Sequence, residues 1–290
     1  MIRFELLREE KFEMGNQAES WGEYSARVLM KWHSLLSVDS SESEIQSFLE
    51  SHPLMLLATY NKHHTPLFRS LFTQPLLPGF NSKRPDFMWL ATDSECVSPI
   101  LIEIEKPSKK WFTKKGVPTA DFTQATNQLT QWKEWFSNPE NRTIFRKGYR
   151  LDEKGLRSKT RILEPHYVLL YGRREEVANK ESIRRASARP DTTIMTFDRL
   201  ELLEKFGNCI ICINNKFEVL TFPSVAQIGP NVVWEEWDML SGLELAIKNS
   251  NDISIERKKF LCQRITYWKE RDKMPLSSLK NPFHKVGDWE

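Results

Sequence analysis

Three acidic side chains stand in segments that are otherwise strongly apolar. Asp86 lies in residues 84–89 (RPDFMW), and Glu103 and Glu105 interrupt residues 101–107 (LIEIEKP). A carboxylate buried in such a strand is costly unless a cation or a partner neutralises it. Residues two apart in a strand share a face, so we expect Glu103 and Glu105 to point together and Asp86 to join them from a neighbouring strand.

Three convergent carboxylates are typical of a site for a hard divalent cation, above all Mg²⁺, with Mn²⁺ as the alternative. Such a cation lowers the pKa of a bound water and stabilises charge on a phosphate, as hydrolysis of a phosphodiester requires. The alternative is structural, with Glu103 forming an ion pair with Lys106 or an arginine. The Pro-Asp opening and the helix that follows favour the metal site.

A stripe of glutamines follows the second acidic segment. Gln124, Gln128 and Gln131 lie at positions i, i+4 and i+7 of residues 119–135, which are predicted to form a helix. Amide side chains in this arrangement can hydrogen-bond a scissile phosphate or a metal-bound water. The alternative is an ordinary solvated helix face.

Basic residues near these segments are candidates for contact with nucleic-acid phosphates. The candidates beside the acidic residues are Lys83, Arg84, Lys106, Lys109 and Lys110. A second basic run, residues 142–161, is either a solvated loop or a phosphate-contacting face. The net charge of the whole chain is +3, which argues against a protein that binds nucleic acid through overall charge.

The order of predicted elements indicates an α/β (α+β) fold with a mixed sheet flanked by helices. Strands are predicted at 67–72, 86–91, 99–105, 167–171, 193–196 and 209–213, with 217–222 returning as a hairpin. Helices are predicted at 42–51, 119–135, 175–186, 199–206, 234–248 and 255–269, and helical spacing also marks 21–35. We expect a core at 41–222 between helical extensions at 1–40 and 223–290, with a loose arm from 275.

Cysteine usage and hydropathy indicate a cytoplasmic protein without a membrane partner. The four cysteines provide no disulfide framework, and Cys209 and Cys212 would face opposite sides of a strand. Buried packing therefore explains this pair better than a metal or redox role. No uncharged apolar run approaches the roughly 18 residues of a membrane span, and the first residues lack the apolar core of a signal peptide.

Several short motifs, taken in order, resemble the nuclease domain of the Shedu family of bacterial anti-phage defence proteins. The similarity extends over about residues 41–205. Its motifs are FLESHPL at 48–54, PDF at 85–87, IEIEKP at 102–107, QATNQLTQW at 124–132, YVLLYGRR at 167–174 and TFDRL at 196–200.

This resemblance implies a PD-(D/E)xK, restriction-endonuclease-like core and an Mg²⁺-dependent endodeoxyribonuclease that acts on phage or foreign DNA. It also implies a homo-oligomer, a dimer or a tetramer. Residue by residue, Asp86 and Glu103 match the motif acids, and Gln128 matches a glutamine of the following helix. Glu44 resembles an acid on the first helix.

The chain departs from the general pattern at Glu105, which stands where the motif has a lysine. We expect Asp86, Glu103 and Glu105 to hold the metal with the carbonyl of Ile104, and Glu105 to orient or deprotonate the attacking water. Which basic residue takes the role of the motif lysine stays open. Strand alternation should point Lys106 away, whereas Lys109 or Lys110 could return to the site.

Two other functions stay open from the sequence. One is a restriction or repair nuclease with no role in defence, because the core chemistry would be the same. The other is a DNA-binding module that does not cleave, which the missing motif lysine favours.

Aromatic residues are enriched at interfaces, so self-association through the tryptophans of both ends is also predicted, with packing onto the chain's own core as the alternative. These are Trp21, Trp32, Trp234, Trp237 and Trp268.

Overall fold

A mixed sheet organises the fold. The computed structural model describes residues 17–59, 65–79, 81–153, 161–177, 189–202, 204, 209–229 and 234–272. Within them, eight strands form one sheet in the order β6-β5-β3-β2-β1-β7-β8, with β4 beside β3. The strands are β1 Thr65–Thr73, β2 Phe87–Thr92, β3 Cys96–Ile104, β4 Ile162–Leu163, β5 His166–Leu170, β6 Thr192–Met195, β7 Ile211–Ile213 and β8 Val219–Thr221.

The pairing of these strands places the ends of β2 and β3 near the middle of the sheet. β1, β2 and β3 pair as an antiparallel meander. β5 runs parallel to β3, and β6 runs parallel to β5. On the other side β7 is parallel to β1, and β8 returns antiparallel to β7, which confirms the predicted hairpin.

Helices cover both faces of this sheet. They are α1 Trp21–Ser37, α2 Glu42–Ser51, α3 Ala120–Ser137, α4 Pro139–Gly148, α5 Trp234–Trp237, α6 Leu243–Asn249 and α7 Ile255–Asp272. Short 3₁₀ segments occur at Pro53–Thr59, Arg174–Glu176 and Phe197–Arg199. The start of α3 is fixed by Thr119, whose hydroxyl accepts the backbone N–H of Phe122. No helix of the described residues is both long enough and apolar enough to span a bilayer.

Alternation along β3 divides the interior into two hydrophobic layers. Leu101 belongs to the layer under α3 and the C-terminal helices, whereas Ile102 and Ile104 belong to the layer under α1 and α2. Successive strand residues point to opposite faces, so Glu103 lies on the α3 side of the sheet. The predicted fold class, a mixed sheet flanked by helices, is confirmed. The narrower PD-(D/E)xK assignment stays a prediction.

Two predicted helices are wrong or incomplete. At 199–206 the chain makes one 3₁₀ turn, Phe197–Arg199, and the described residues after it are not helical. Asp198 explains the turn because its carboxylate accepts from Arg173 Nε and from the backbone N–H of Arg174, at 2.9 and 2.6 Å. The helix predicted at 175–186 begins as a single 3₁₀ turn, and residues 178–188 lie outside the described part.

The predicted helix at 234–248 is split into α5 and α6. Between them Ser241 pairs with the β7–β8 hairpin: its N–H donates to Phe217 O at 2.9 Å, and its carbonyl accepts from Val219 N at 2.8 Å. Gly242 follows with a φ of +75°, a left-handed conformation that ends the extended stretch and starts α6. The loose arm expected from residue 275 lies outside the described residues.

The tryptophans of both ends pack within the chain. Trp32, Trp237 and Trp268 are buried in the two hydrophobic layers, and Trp21 is half-buried against one of them. The side chain of Trp234 lies outside the described part. Burial of these three rings favours the alternative of packing onto the chain's own core, and self-association itself stays a prediction. Cys209 and Cys212 are buried and form no disulfide within the described residues, as the packing interpretation predicted.

Candidate active site

The register of β2 and β3 places the first two predicted acids side by side. Phe87 pairs with Ile102, so Asp86, one residue earlier, adjoins Glu103 at the end of the ladder. Asp86 Oδ2 accepts the backbone N–H of Ile104 at 2.8 Å, which fixes its carboxylate over β3. The two predicted motif acids are thus brought together by strand pairing.

Burial governs the electrostatics of this pair. It raises the pKa of Asp86 to about 7, although the hydrogen bond from Ile104 opposes the rise. Burial, followed by the charges of Asp86 and Glu105, raises the pKa of Glu103 well above its usual range. A hydrogen bond between the two carboxyl groups lowers the pKa of Asp86 and raises that of Glu103. Both carboxyl groups are therefore harder to ionise than exposed acids.

Glu105 lies one residue beyond β3 and faces the same site. Its N–H donates to Leu170 O at 3.0 Å, which extends the β3–β5 pairing, and its side chain is buried. The carboxylate accepts a hydrogen bond from Lys109 Nζ in an ion pair. Glu105 therefore already has a counter-ion within the chain.

The loop that follows β3 is fixed by hydrogen bonds and holds Lys109 in that position. Lys109 N–H donates to Lys106 O at 3.0 Å, and Thr119 closes the loop by donating its hydroxyl to Lys110 O at 2.7 Å. Gly172 gives this loop room, since a Cβ there would lie 2.6 Å from the indole nitrogen of Trp111 and its φ is +59°. The end of β5 thus requires glycine where the loop packs against it.

The other predicted basic residues are placed differently. Lys106 points away, as alternation predicted, and its ammonium pairs with Asp39 at 2.7 Å. The structural alternative of a Glu103–Lys106 ion pair is therefore wrong. Lys83 Nζ donates to Gln131 Oε1 at 2.7 Å, while Arg84 and Lys110 are exposed.

The glutamine stripe lies on one face of α3. At its N-terminal end Asp121 acts electrostatically on Lys109, and at the other end Gln131 binds Lys83. Gln124 is exposed and Gln128 is half-buried on the same helical face between these two points. The role predicted for Gln128 at the acidic residues stays a prediction.

Glu44, a predicted site acid, lies in the first turn of α2. The carboxylate of Glu44 is exposed and accepts from the backbone N–H and hydroxyl of Ser41, both at 2.7 Å, in a capping box. Partial desolvation, and after it the charge of Glu105, raises the pKa of Glu42, although its side chain stays largely exposed to solvent. Glu42 in turn acts electrostatically on Asp86. The Ser-x-x-Glu spacing could have identified Glu44 as a cap.

Asp86, Glu103, Glu105 and Glu42 together form an acidic cluster. Glu103 Oε2 is buried without a hydrogen-bond partner among the described residues. This oxygen is therefore an unsatisfied acceptor that a cation or a hydrogen-bond donor could satisfy. In the described part of the chain, no group of three or more His, Cys, Asp or Glu side chains is arranged to hold a metal ion. The donor chemistry fits a hard cation, but Glu105 would have to release Lys109 to complete a three-carboxylate set.

The second basic run is largely tied into the fold. Its first part is α4, which sequence periodicity missed because few of its residues are apolar. Arg146 pairs with Asp152 at 2.8 Å and Arg150 with Glu153 at 2.6 Å. These arginines already have intramolecular partners, which favours a structural role for this part of the run. Residues 154–160 lie outside the described part.

The fold and this site define a mixed α/β protein with buried carboxylates clustered where β2 begins and β3 ends. A family model described as Shedu protein SduA, C-terminal, matches residues 39–200, which is more than half of the chain. The chain therefore belongs to the Shedu family, as its motifs predicted, and this membership associates it with anti-phage defence. A comparison with curated proteins found no match.

Proposed function

We propose that the chain is a metal-dependent DNA nuclease with Mg²⁺ or Mn²⁺ as its cation and phage or other foreign DNA as its substrate. The observation that carries this proposal is the adjacent Asp86–Glu103 pair, in which Glu103 is buried and its Oε2 has no hydrogen-bond partner among the described residues. A protein gains nothing in stability from two adjacent acids that are withdrawn from solvent, so their presence is best explained by a ligand that needs them. Family membership supports the same function.

The chain's own residues have distinct roles in this proposal. Asp86 and Glu103 would hold the cation together with the Ile104 carbonyl. The cation supplies a bound water of lowered pKa and stabilises charge on the scissile phosphate. Glu105 orients the attacking water or accepts its proton, and Gln128 hydrogen-bonds the phosphate or that water.

Cleavage of plasmid and linear DNA with Mg²⁺ or Mn²⁺ tests this function. We expect Asp86→Ala and Glu103→Ala each to abolish cleavage while the protein stays folded. Glu95→Gln is the matched control, because Glu95 is an exposed carboxylate at the opposite end of β3. Wild-type cleavage rates in either site variant would show that the reaction is carried out elsewhere.

A DNA-binding module that does not cleave is the second candidate, because Glu105 stands at the lysine position and is neutralised by Lys109. DNA binding without cleavage in either metal would support it over the nuclease. Self-association as a dimer or tetramer is a separate proposal that rests on the family. Light scattering at micromolar concentration tests it, and a monomeric mass would contradict it.

A further inference from the structure

We propose that Lys109 replaces the missing motif lysine and serves as an internal counter-ion that a divalent cation must displace from Glu105. This inference rests on the proposed nuclease function and names a further residue of that site. Before metal binds, the ammonium of Lys109 neutralises the acidic cluster. After metal binds, the same ammonium is free to contact the scissile phosphate.

The ion pair between Lys109 and Glu105 is the first observation. Glu105 is buried and its charge acts on Asp86 and Glu103, so it belongs electrostatically to the cluster. Lys109 Nζ hydrogen-bonds to Glu105 Oε2. A monovalent cation of the chain therefore already occupies one carboxylate of the set that a metal would use.

The second observation is the way the loop presents this side chain. Of the three lysines just after β3, Lys106 pairs with Asp39 and Lys110 is exposed, whereas Lys109 is half-buried against the cluster. The turn at Lys106 and the hydrogen bonds of Thr119 fix the loop. A fixed loop delivers a lysine to the reacting centre although the strand position itself is a glutamate.

The carboxylate of Glu105 cannot fully bind the Lys109 ammonium and a divalent metal ion at the same time. Binding of a divalent ion by Asp86, Glu103 and Glu105 would repel the ammonium, because the like charges would lie within a few ångströms. Lys109 is paired with Glu105 and is also under the electrostatic influence of Asp121, in the first turn of α3. An ammonium released there remains beside the surface along which the proposed DNA phosphate would lie.

Removal of the Lys109 charge should therefore have two effects of opposite sign. Metal binding should become tighter, because the internal competitor is gone. Cleavage at saturating metal should become slower, because the phosphate loses a positive contact. A residue with a purely structural role would weaken both properties together, so the opposite signs are diagnostic.

The experiment uses the full chain with Lys109→Met, Lys109→Arg and the control Lys114→Met, which removes an exposed lysine of the same loop. Mn²⁺ affinity is measured by calorimetry, and single-turnover cleavage of a linear duplex is measured at saturating Mn²⁺. For Lys109→Met we expect about tenfold tighter Mn²⁺ binding, equivalent to about 1.4 kcal/mol, and cleavage slowed about 100-fold. Lys114→Met should match wild type in both.

Lys109→Arg keeps the charge and covers the case in which the methionine variant does not fold. We expect it to bind Mn²⁺ like wild type and to cleave more slowly, because the planar guanidinium stays paired with Glu105. Unchanged or weaker Mn²⁺ binding by Lys109→Met, or tighter binding by Lys109→Arg, would overturn the inference. If wild type binds Mn²⁺ and cleaves while Lys109→Met equals it in both, this inference alone fails. If wild type does neither, the proposed function fails and the inference fails with it.

Discussion

Replacement of Asp86 by asparagine should stabilise the metal-free protein at neutral and alkaline pH. Asparagine has nearly the same shape, and its carbonyl oxygen can still accept the N–H of Ile104 that Asp86 Oδ2 accepts at 2.8 Å. The substitution therefore removes the buried charge while it keeps the hydrogen bond. The expected gain is largest where the wild-type carboxyl group must be ionised.

The size of this gain follows from the raised pKa. Burial raises the pKa of Asp86 from 3.8 to about 7. One pKa unit corresponds to 1.36 kcal/mol, so ionised Asp86 lowers the free energy of unfolding by about 4 kcal/mol. Because Asp86 is only half-buried, water screens part of this effect, and we expect a measured gain of about 2–4 kcal/mol. At about 2 °C per kcal/mol, the melting temperature should rise by about 4–8 °C.

The sign of the pH dependence is fixed by proton linkage. Between the unfolded pKa of 3.8 and the folded pKa of about 7, the folded protein binds more protons than the unfolded chain. The stability of wild type relative to Asp86→Asn should therefore fall as pH rises through this window and level off above it. A divalent cation should reverse the loss in wild type by mass action, and should do so less in the variant.

Thermal unfolding with a metal chelator between pH 5 and pH 8.5 measures this effect for wild type, Asp86→Asn and the control Glu95→Gln. The control carboxylate is exposed, so its replacement should leave the melting temperature within about 1 °C. An Asp86→Asn melting temperature at pH 8 equal to or below that of wild type would refute the reasoning. So would a gain that is larger at pH 5 than at pH 8.

Four further substitutions have clear expected outcomes. Gln128→Ala should slow single-turnover cleavage about tenfold with little change in DNA affinity, and lost affinity with an unchanged rate would contradict its proposed role. Glu105→Lys should keep measurable cleavage and should bind Mg²⁺ more weakly in calorimetry. Glu105→Ala should lose more cleavage activity than Glu105→Lys. If the alanine variant cleaves like wild type, Glu105 is a structural residue. Gly172→Ala should lower the free energy of unfolding by about 1–3 kcal/mol in urea, because its Cβ would lie 2.6 Å from the Trp111 indole nitrogen, and an unchanged urea midpoint would exclude that clash.

The pairing of the site acids was predictable from local pattern. Asp86 before one apolar strand, and Glu103 and Glu105 in the next, indicated a shared face because side chains in a strand alternate. The same periodicity predicted α3 and its glutamine stripe, and Thr119 marked the start of that helix. These features depend on a few neighbouring residues, so a single sequence contains enough information to find them.

Helix boundaries were less predictable where contacts between distant segments decide them. The break at Gly242 exists because Ser241 pairs with the β7–β8 hairpin. The turn at Phe197–Arg199 is held by Asp198 through contacts with Arg173 and Arg174. Local helical propensity is a weak preference, and hydrogen bonds to remote parts of the chain override it.

By itself, the sequence determined the family, the positions of most strands along the chain and the identity of the paired acids. Only the tertiary structure decided that Lys109 is the partner of Glu105, and that the charge of Glu42 acts on Asp86. The physical reason is distance: alternation and capping act between residues a few positions apart. The charge that neutralises a carboxylate depends instead on how a loop returns to the sheet, which Gly172 and Thr119 fix through packing and hydrogen bonds.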